Sequence, residues 1–363
     1  MISRERCRIA MSGGIPDRVP VIPQINHTHA IRALGLDFRK TVVKVLKQPF
    51  LRNKLILECA RRYGVDGVRF FIPADPVENL VDDGTCVWQI SPGNGTKIGK
   101  VDFEGGGWVI PLIERPLIKN EQDIKKIPVI PAESLIATPK FQALKKMIRS
   151  ACKDLFVIGV PGYFTVEHVA TLIGKEQMLI DLIERPDFVK EIIRKSTDRT
   201  IQAAIALATL GVDAVLIGET FGGLIGPAHF EEFCSPAIKR FVNALKPYNV
   251  LTYLHICGNS TALFELMADT GVDCIEPLDP LGGVRVRDAK ARVGKRVALM
   301  GGVNTITLAK GTPQQVKEDC LRCLREGAPG GGYILACGDM LPTETPAENV
   351  RVVIEAARNY RYE

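Results

Sequence analysis

The sequence predicts an α/β fold, a (β/α)8 TIM barrel, and three observations carry that expectation. Eight short apolar runs alternate with helical segments along one chain of 363 residues, a length that suits a single barrel with extensions. The tripeptide Gly-Val-Asp recurs at Gly64-Val65-Asp66, Gly211-Val212-Asp213 and Gly271-Val272-Asp273, each time after a helical pattern and before a strand-like run. A glycine there supplies the left-handed turn that ends a helix, so the repeat counts out helix-to-strand connections. Metal-ligating residue types also fall where apolar runs end, and barrels of this kind place their chemistry at that end of the strands.

Residues 16–23 lead into Gln24-Ile25-Asn26-His27-Thr28-His29 and read as the first strand. A helical stretch over 40–63 closes at Gly64, and 65–71 reads as the second strand. Residues 80–116 turn alternating and rich in turn formers, with Pro92-Gly93-Asn94-Gly95 and Gly105-Gly106-Gly107 framing short runs that carry Trp88 and Trp108. This predicts a β-hairpin insertion or lid within a single domain spanning 1–363. No helix start and no Lys-Ser/Thr follows the three glycines, so they read as a bent strand end or loop and not as a phosphate cradle. A charged stretch over 119–131 and a helix over 139–152 follow. Further strands are expected at 156–160, 214–219, 250–257, 274–278, 297–302 and 333–337, with helices within 167–210 and near 228–245. Thr312-Pro313 and Thr345-Pro346 pair a capping residue with a first-turn proline and open the last two helices.

Composition excludes some classes of function. The formal charge of +6 is spread out, without a basic stripe interleaved with aromatics, so nucleic-acid binding is not expected. No apolar run is long enough to span a bilayer, and the first residues lack a charged-then-apolar leader, which predicts a cytoplasmic protein. Its ten cysteines then read as reduced thiols, some of them free to act as ligands.

The run Leu251-Thr252-Tyr253-Leu254-His255-Ile256-Cys257-Gly258-Asn259 ends in two soft ligands one residue apart. Strand side chains alternate faces, so His255 and Cys257 point the same way. A third donor, Cys337, ends the run over 333–337. Imidazole with two thiolates is a zinc-type set, while the alternative is that the cysteines are core residues and His255 a hydrogen-bonded interior histidine. Glu219 ends the neighbouring strand, placed either as a fourth, displaceable and catalytic ligand, as an acceptor that holds His255, or as a surface carboxylate at a loop start.

Taken together, these residues resemble the uroporphyrinogen decarboxylase superfamily, and within it the zinc-dependent, corrinoid-linked methyltransferases. The resemblance runs over most of the chain and rests on Pro16-Asp17-Arg18-Val19-Pro20-Val21, Gly162-Tyr163-Phe164-Thr165, His255-Ile256-Cys257-Gly258-Asn259 and the stretch from Gly338 to Thr345-Pro346-Ala347-Glu348-Asn349. It implies methyl transfer between a small methylated substrate and the cobalt of a corrinoid, with Zn2+ bound by the protein. The decarboxylases themselves carry an arginine-rich segment after the first strand; here that segment reads Asn26-His27-Thr28-His29-Ala30-Ile31-Arg32, so porphyrin decarboxylation is not expected. The loops after the sixth and seventh strands resemble those of O-demethylase members that act on methoxylated aromatics more than those of coenzyme M-type thiol methyltransferases. On that reading Tyr163, Phe164, Phe71 and Met340 line an apolar mouth, while Phe70 reads as core. Gln24, Asn26, His27, Asn259, Glu276 and Asn304 are then the polar residues available to orient a substrate. No Asp-x-His-x-x-Gly element is present, so the corrinoid is expected on a partner protein or as a free cofactor, with self-association left open.

Two other readings compete. His27-Thr28-His29 with Glu219, His255 and Asp339 suggests a binuclear amidohydrolase-type barrel, which would leave Cys257 and Cys337 unexplained. A structural zinc on a binding module would need four firm ligands and no exchangeable position. Cys320-Leu321-Arg322-Cys323 has a zinc-knuckle spacing but lies within a helical pattern and reads as core.

Overall fold

The computed structural model of the protein describes residues 1–112 and 116–362. The chain opens with helices Ser3–Met11 (α1), His27–Ala33 (α2), Phe38–Lys47 (α3) and Phe50–Tyr63 (α4), then strand Gly67–Phe71 (β1). Four antiparallel strands follow, Leu80–Asp82 (β2), Val87–Ile90 (β3), Lys97–Asp102 (β4) and Trp108–Pro111 (β5), paired in sequence order as a sheet of their own. Residues 113–115, inside the 80–116 stretch set apart above, lie outside the described residues. Next come Ala132–Ala137 (α5), Pro139–Ala151 (α6), Phe156–Val160 (β6), Val166–Ile173 (α7), Lys175–Glu184 (α8), Pro186–Leu210 (α9) and Ala214–Gly218 (β7). Gly222–His229 (α10), Ser235–Leu245 (α11), Leu251–His255 (β8), Phe264–Asp269 (α12), Cys274–Leu278 (β9), Val286–Val293 (α13) and Ala298–Val303 (β10) continue the alternation. Thr305–Lys310 (α14), Pro313–Gly327 (α15), Tyr333–Cys337 (β11) and Ala347–Asn359 (α16) complete it.

The main sheet has seven parallel strands in the order β1-β6-β7-β8-β9-β10-β11. The expected first strand is instead an irregular extended segment, because Pro20 and Pro23 have no N–H to give to a ladder. Isolated bridges join Val21 to Leu335 and Gln24 to Met340. On one side Ile22 N–H donates to the Leu335 carbonyl at 3.1 Å, and on the other Asp66 N–H donates to the Val21 carbonyl at 2.9 Å. The same segment therefore touches both ends of the sheet, which curls to reach it.

Strand alternation divides the sheet's two faces. Phe156, Ile158, Leu216, Tyr253, Met300 and Ile334 pack inward with Cys7, Ala10 and Met11 of α1, while the alternate residues pack against the outer helices. The three Gly-Val-Asp aspartates each complete a neighbour's backbone: Asp66 accepts from Val21 N–H, Asp213 from Val157 N–H and Asp273 from Thr252 N–H at 2.7–3.0 Å. Burying Asp66 and Asp213 is offset by cations from the N-terminal segment, Arg6 and Arg18 on Asp66 and Arg4 on Asp213. Part of the positive charge is thus committed at the end of the sheet opposite the candidate site.

Local differences from the sequence reading have local causes. The 40–63 helix breaks at Pro49 into α3 and α4, and Gly64 caps α4 in the left-handed conformation at φ 70°. Thr312 forms a capping box with Gln315, but Pro346 itself occupies the cap of α16, leaving the Thr345 hydroxyl without a partner. Among the described residues no helix is long and apolar enough to cross a membrane.

Gly107, in the turn between β4 and β5, lies against α2. Its φ is +77°, and a Cβ there would stand 2.9 Å from His27 Nε2 and 3.1 Å from the Thr28 methyl. Gly107→Ala is therefore expected to lower stability by about 1–3 kcal/mol, through left-handed strain plus this contact. Urea unfolding checks this, and an unchanged midpoint would contradict it.

Candidate metal centre and the cavity beside it

β8 ends at His255, and Cys257 follows two residues on. His255 pairs in register with Glu276 of β9, whose Oε2 meets His255 Nδ1. The other carboxylate oxygen accepts from Arg69 Nη2 of β1 at 2.7 Å. Arg69 and Glu276 are buried inside the curled sheet. Burial alone would push the Glu276 carboxyl up, but Arg69 and His255 overcome it and hold it at about 2. Burial would likewise drive the His255 ring neutral, yet Glu276 and the Cys257 contact raise it to about 10. The imidazole of the metal-free protein thus carries a proton that an incoming ion must displace.

Cys337 ends β11, where its sulfur accepts the Gln24 N–H at 3.4 Å. Burial raises this thiol to about 12, and the Arg69–Glu276 pair acts on it as it does on His255. His255 and Cys337 thus end their strands under the influence of the same buried ion pair. Soft sulfur and nitrogen donors, with a carboxylate on the far nitrogen of the ring, fit zinc in chemistry.

Glu219 is placed elsewhere. Gly218 faces into the sheet, so the next residue turns out, and the Glu219 side chain packs over Gly222, close to Ile256, beside Cys234. Only its backbone reaches the site, donating N–H to the His255 carbonyl at 2.9 Å. Burial, reinforced by Glu167, pushes its carboxyl well above the usual range, so it is protonated and its oxygens lack a well-formed hydrogen bond. The four-residue set His255, Cys257, Cys337 and Glu219 is thus not gathered; among the described residues no three His, Cys, Asp or Glu side chains stand close enough to hold an ion. The carboxylate that meets the pair is Glu276, which the sequence reading assigned to substrate. Arg69 was missed altogether, although a charged residue inside Gly67-Val68-Arg69-Phe70-Phe71 was the signal for it.

Several expected substrate residues have structural duties instead. Asn26 caps α2 by accepting from Thr28 and His29 N–H, and its amide reaches Met340 Sδ at 3.0 Å. Asn304 caps α14 in the same way. Asn259 Oδ1 accepts from Thr261 N–H. Phe164 is fully buried and stacked on Phe241 at 4.8 Å, so it belongs to the core rather than to a mouth. Phe70 is core as well. The Gln24 side-chain oxygen is buried without a partner. His27 and His29 stand on a helix, with His29 bonded to Tyr63 and to the Pro342 carbonyl, and not at a strand end beside His255.

Tyr163, Phe71 and His27 come together at a cavity of about 850 Å³ between α2–α4, the antiparallel sheet and the end of β6. Tyr163 links it to the candidate metal centre, since its ring lies against Gly218, the residue that pairs in register with His255. His27 is depressed to about 3 by burial and Arg52, His29 to about 4 by burial, and His168 to about 4 by burial and Arg199. Each takes its proton only on unfolding, so stability falls as pH drops below the ordinary histidine value of 6.5. The carboxyls of Glu219 and Asp279, both raised chiefly by burial, oppose this, and His255, raised rather than lowered, contributes no change there; three groups are set against these two. The thermal midpoint of the metal-free protein is therefore expected to fall from pH 6.5 to 4.5, and a flat or rising profile would contradict the assignment.

The uroporphyrinogen decarboxylase (URO-D) family pattern matches residues 95–360, and the chain belongs to that family. Among curated relatives, the methylcobamide:CoM methyltransferase MtbA of Methanosarcina mazei is 29% identical over 256 residues, covering 69% of this chain and 72% of that protein. A uroporphyrinogen decarboxylase of Coxiella burnetii is 25% identical over 271 residues, covering 72% and 73%. A solved methyltransferase from Methanosarcina mazei superposes with a TM-score of 0.73 at 22% identity, over 99% of this chain and 98% of that one, and has the same fold.

Proposed function

We propose that the protein is a zinc-dependent methyltransferase that moves a methyl group between a small methylated substrate and the cobalt of a corrinoid held by a partner protein. The observation that supports this reading is His255 at the end of β8, bonded to Glu276, with Cys257 two residues on and Cys337 at the end of β11. His255, Cys257 and Cys337 would hold the ion. Bound zinc supplies Lewis-acid polarisation of a leaving oxygen, or stabilises the thiolate of an acceptor. The chain's own part is to fix the imidazole through Glu276, to keep Glu276 ionised through Arg69, and to wall the approach with Tyr163. Exposed apolar side chains at Tyr163, Leu224, Leu281 and Ile306 follow four different strands of the main sheet and suit a docked partner at that rim.

The favoured substrate is a methoxylated aromatic, demethylated at oxygen, because the adjoining cavity has ring-bearing walls. Thiol methylation of the coenzyme M type is the second reading, supported by the name of the Methanosarcina mazei relative. Mixing the zinc-loaded protein with Co(I) corrinoid and separate methoxyarenes, methylthiols and methylamines, while following the cobalt spectrum, tests both. Methylation from methoxyarenes is expected; methylation only from methylthiols would favour the second reading, and none from any donor would defeat the proposal.

A further inference from the structure

Among the described residues that line the cavity, two arginines have no carboxylate partner. Arg52 of α4 lies over the Phe71 ring at 3.5 Å, and its guanidinium makes no hydrogen bond or ion pair among the described residues. Burial lowers it to about 10. Arg199 also lines the cavity, and its side chain meets His168 Nε2 at 3.4 Å. The one carboxylate among the described lining residues, Asp75, is paired with Lys140 at 2.7 Å. Neutral His27 presents two ring nitrogens without a well-formed partner among the described residues, with the Gly107 backbone beside the ring. An unpaired guanidinium out of bulk water is costly unless something anionic meets it, and planar bidentate pairing with a carboxylate is what arginine does best. Phe71, Tyr163 and Trp108 supply flat apolar walls around it.

We propose that this cavity binds an aromatic carboxylate, with Arg52 receiving the carboxylate and His27 assisting, so that the substrate of the methyl transfer is an anionic methoxyarene. The ligand's placement rests on the methyl-transfer reading only for its role as substrate; binding itself does not. Tyr163 lines the cavity and its ring lies against Gly218, which pairs in register with His255, so it puts the ligand ring's other end toward the candidate metal centre.

Calorimetric titration of the metal-free and zinc-loaded protein with 4-methoxybenzoate, anisole and 2-mercaptoethanesulfonate tests this, with Arg52→Met and Arg52→Lys beside the parent chain. Methoxybenzoate is expected to bind roughly tenfold or more tightly than anisole, and Arg52→Met to lose that advantage while leaving anisole unchanged. Arg52→Lys, which keeps the charge, should recover part of it; this variant decides the matter if the methionine form does not melt like the parent. Equal binding of anisole and methoxybenzoate, or indifference to Arg52, overturns the proposal. So does mercaptoethanesulfonate binding as tightly as methoxybenzoate. Carboxylate binding that depends on Arg52 without any cobalt methylation would leave this proposal standing and remove the methyl-transfer reading. Methylation from neutral methoxyarenes with Arg52 irrelevant would do the reverse.

Discussion

Replacing Cys257 by serine is expected to strip zinc from the protein and reduce cobalt methylation to background. Loss of a carboxylate that only orients a ligating histidine costs roughly 10–100-fold in metal affinity, and loss of a donor itself should exceed that. Cys257 is the less buried of the two sulfurs and lies two residues past His255, so its removal disturbs the proposed seat of the ion with little effect on the core. Cys320→Ser is the matched control. That thiol is fully buried in α15, so its loss should cost some stability while zinc content stays at one per chain. Zinc retention measured by elemental analysis in Cys257→Ser at the parent level would remove His255 and Cys257 as ligands.

Glu276→Ala carries the largest expected loss of stability. Arg69 is 3% exposed and Glu276 0% exposed, and Glu276 is the one hydrogen-bond partner of the Arg69 guanidinium among the described residues. Removing the acid leaves a buried cation uncompensated, which typically costs about 3–5 kcal/mol, while swapping both members for apolar residues is often close to neutral. Glu276→Ala should therefore unfold at much lower urea concentration than Arg69→Met with Glu276→Leu, although both lose zinc affinity. A double-mutant cycle measures this directly. Equal stability of Glu276→Ala and the parent would mean that the pair does not organise the interior.

The fold was legible where one physical rule acted alone. Apolar runs after Gly-Val-Asp became strands, because the glycine turned the chain and the aspartate closed a neighbouring backbone group. Legibility failed where two rules competed. Residues 20–24 had the hydropathy of a strand, but their prolines left isolated bridges, and Asn26 acted as a helix cap where the extended reading had run on through His29. At the site, period-two alternation put His255 and Cys257 on one face, but the strand that the rule needs ends at His255. The same rule, applied to Glu219, turns its carboxylate away, since Gly218 already occupies the inward position. Arg69 and Glu276 stayed hidden because their partnership spans 207 residues and depends on the curl of the sheet.

Zinc K-edge absorption spectroscopy on protein reconstituted with one equivalent of the metal tests the central claim most directly. The expected spectrum has two sulfur scatterers near 2.3 Å with the remainder nitrogen or oxygen, about the distances that such ligands take, and it loses one sulfur in either Cys257→Ser or Cys337→Ser. A coordination sphere of nitrogen and oxygen alone, or one unchanged in both variants, would place the ion elsewhere and contradict the account.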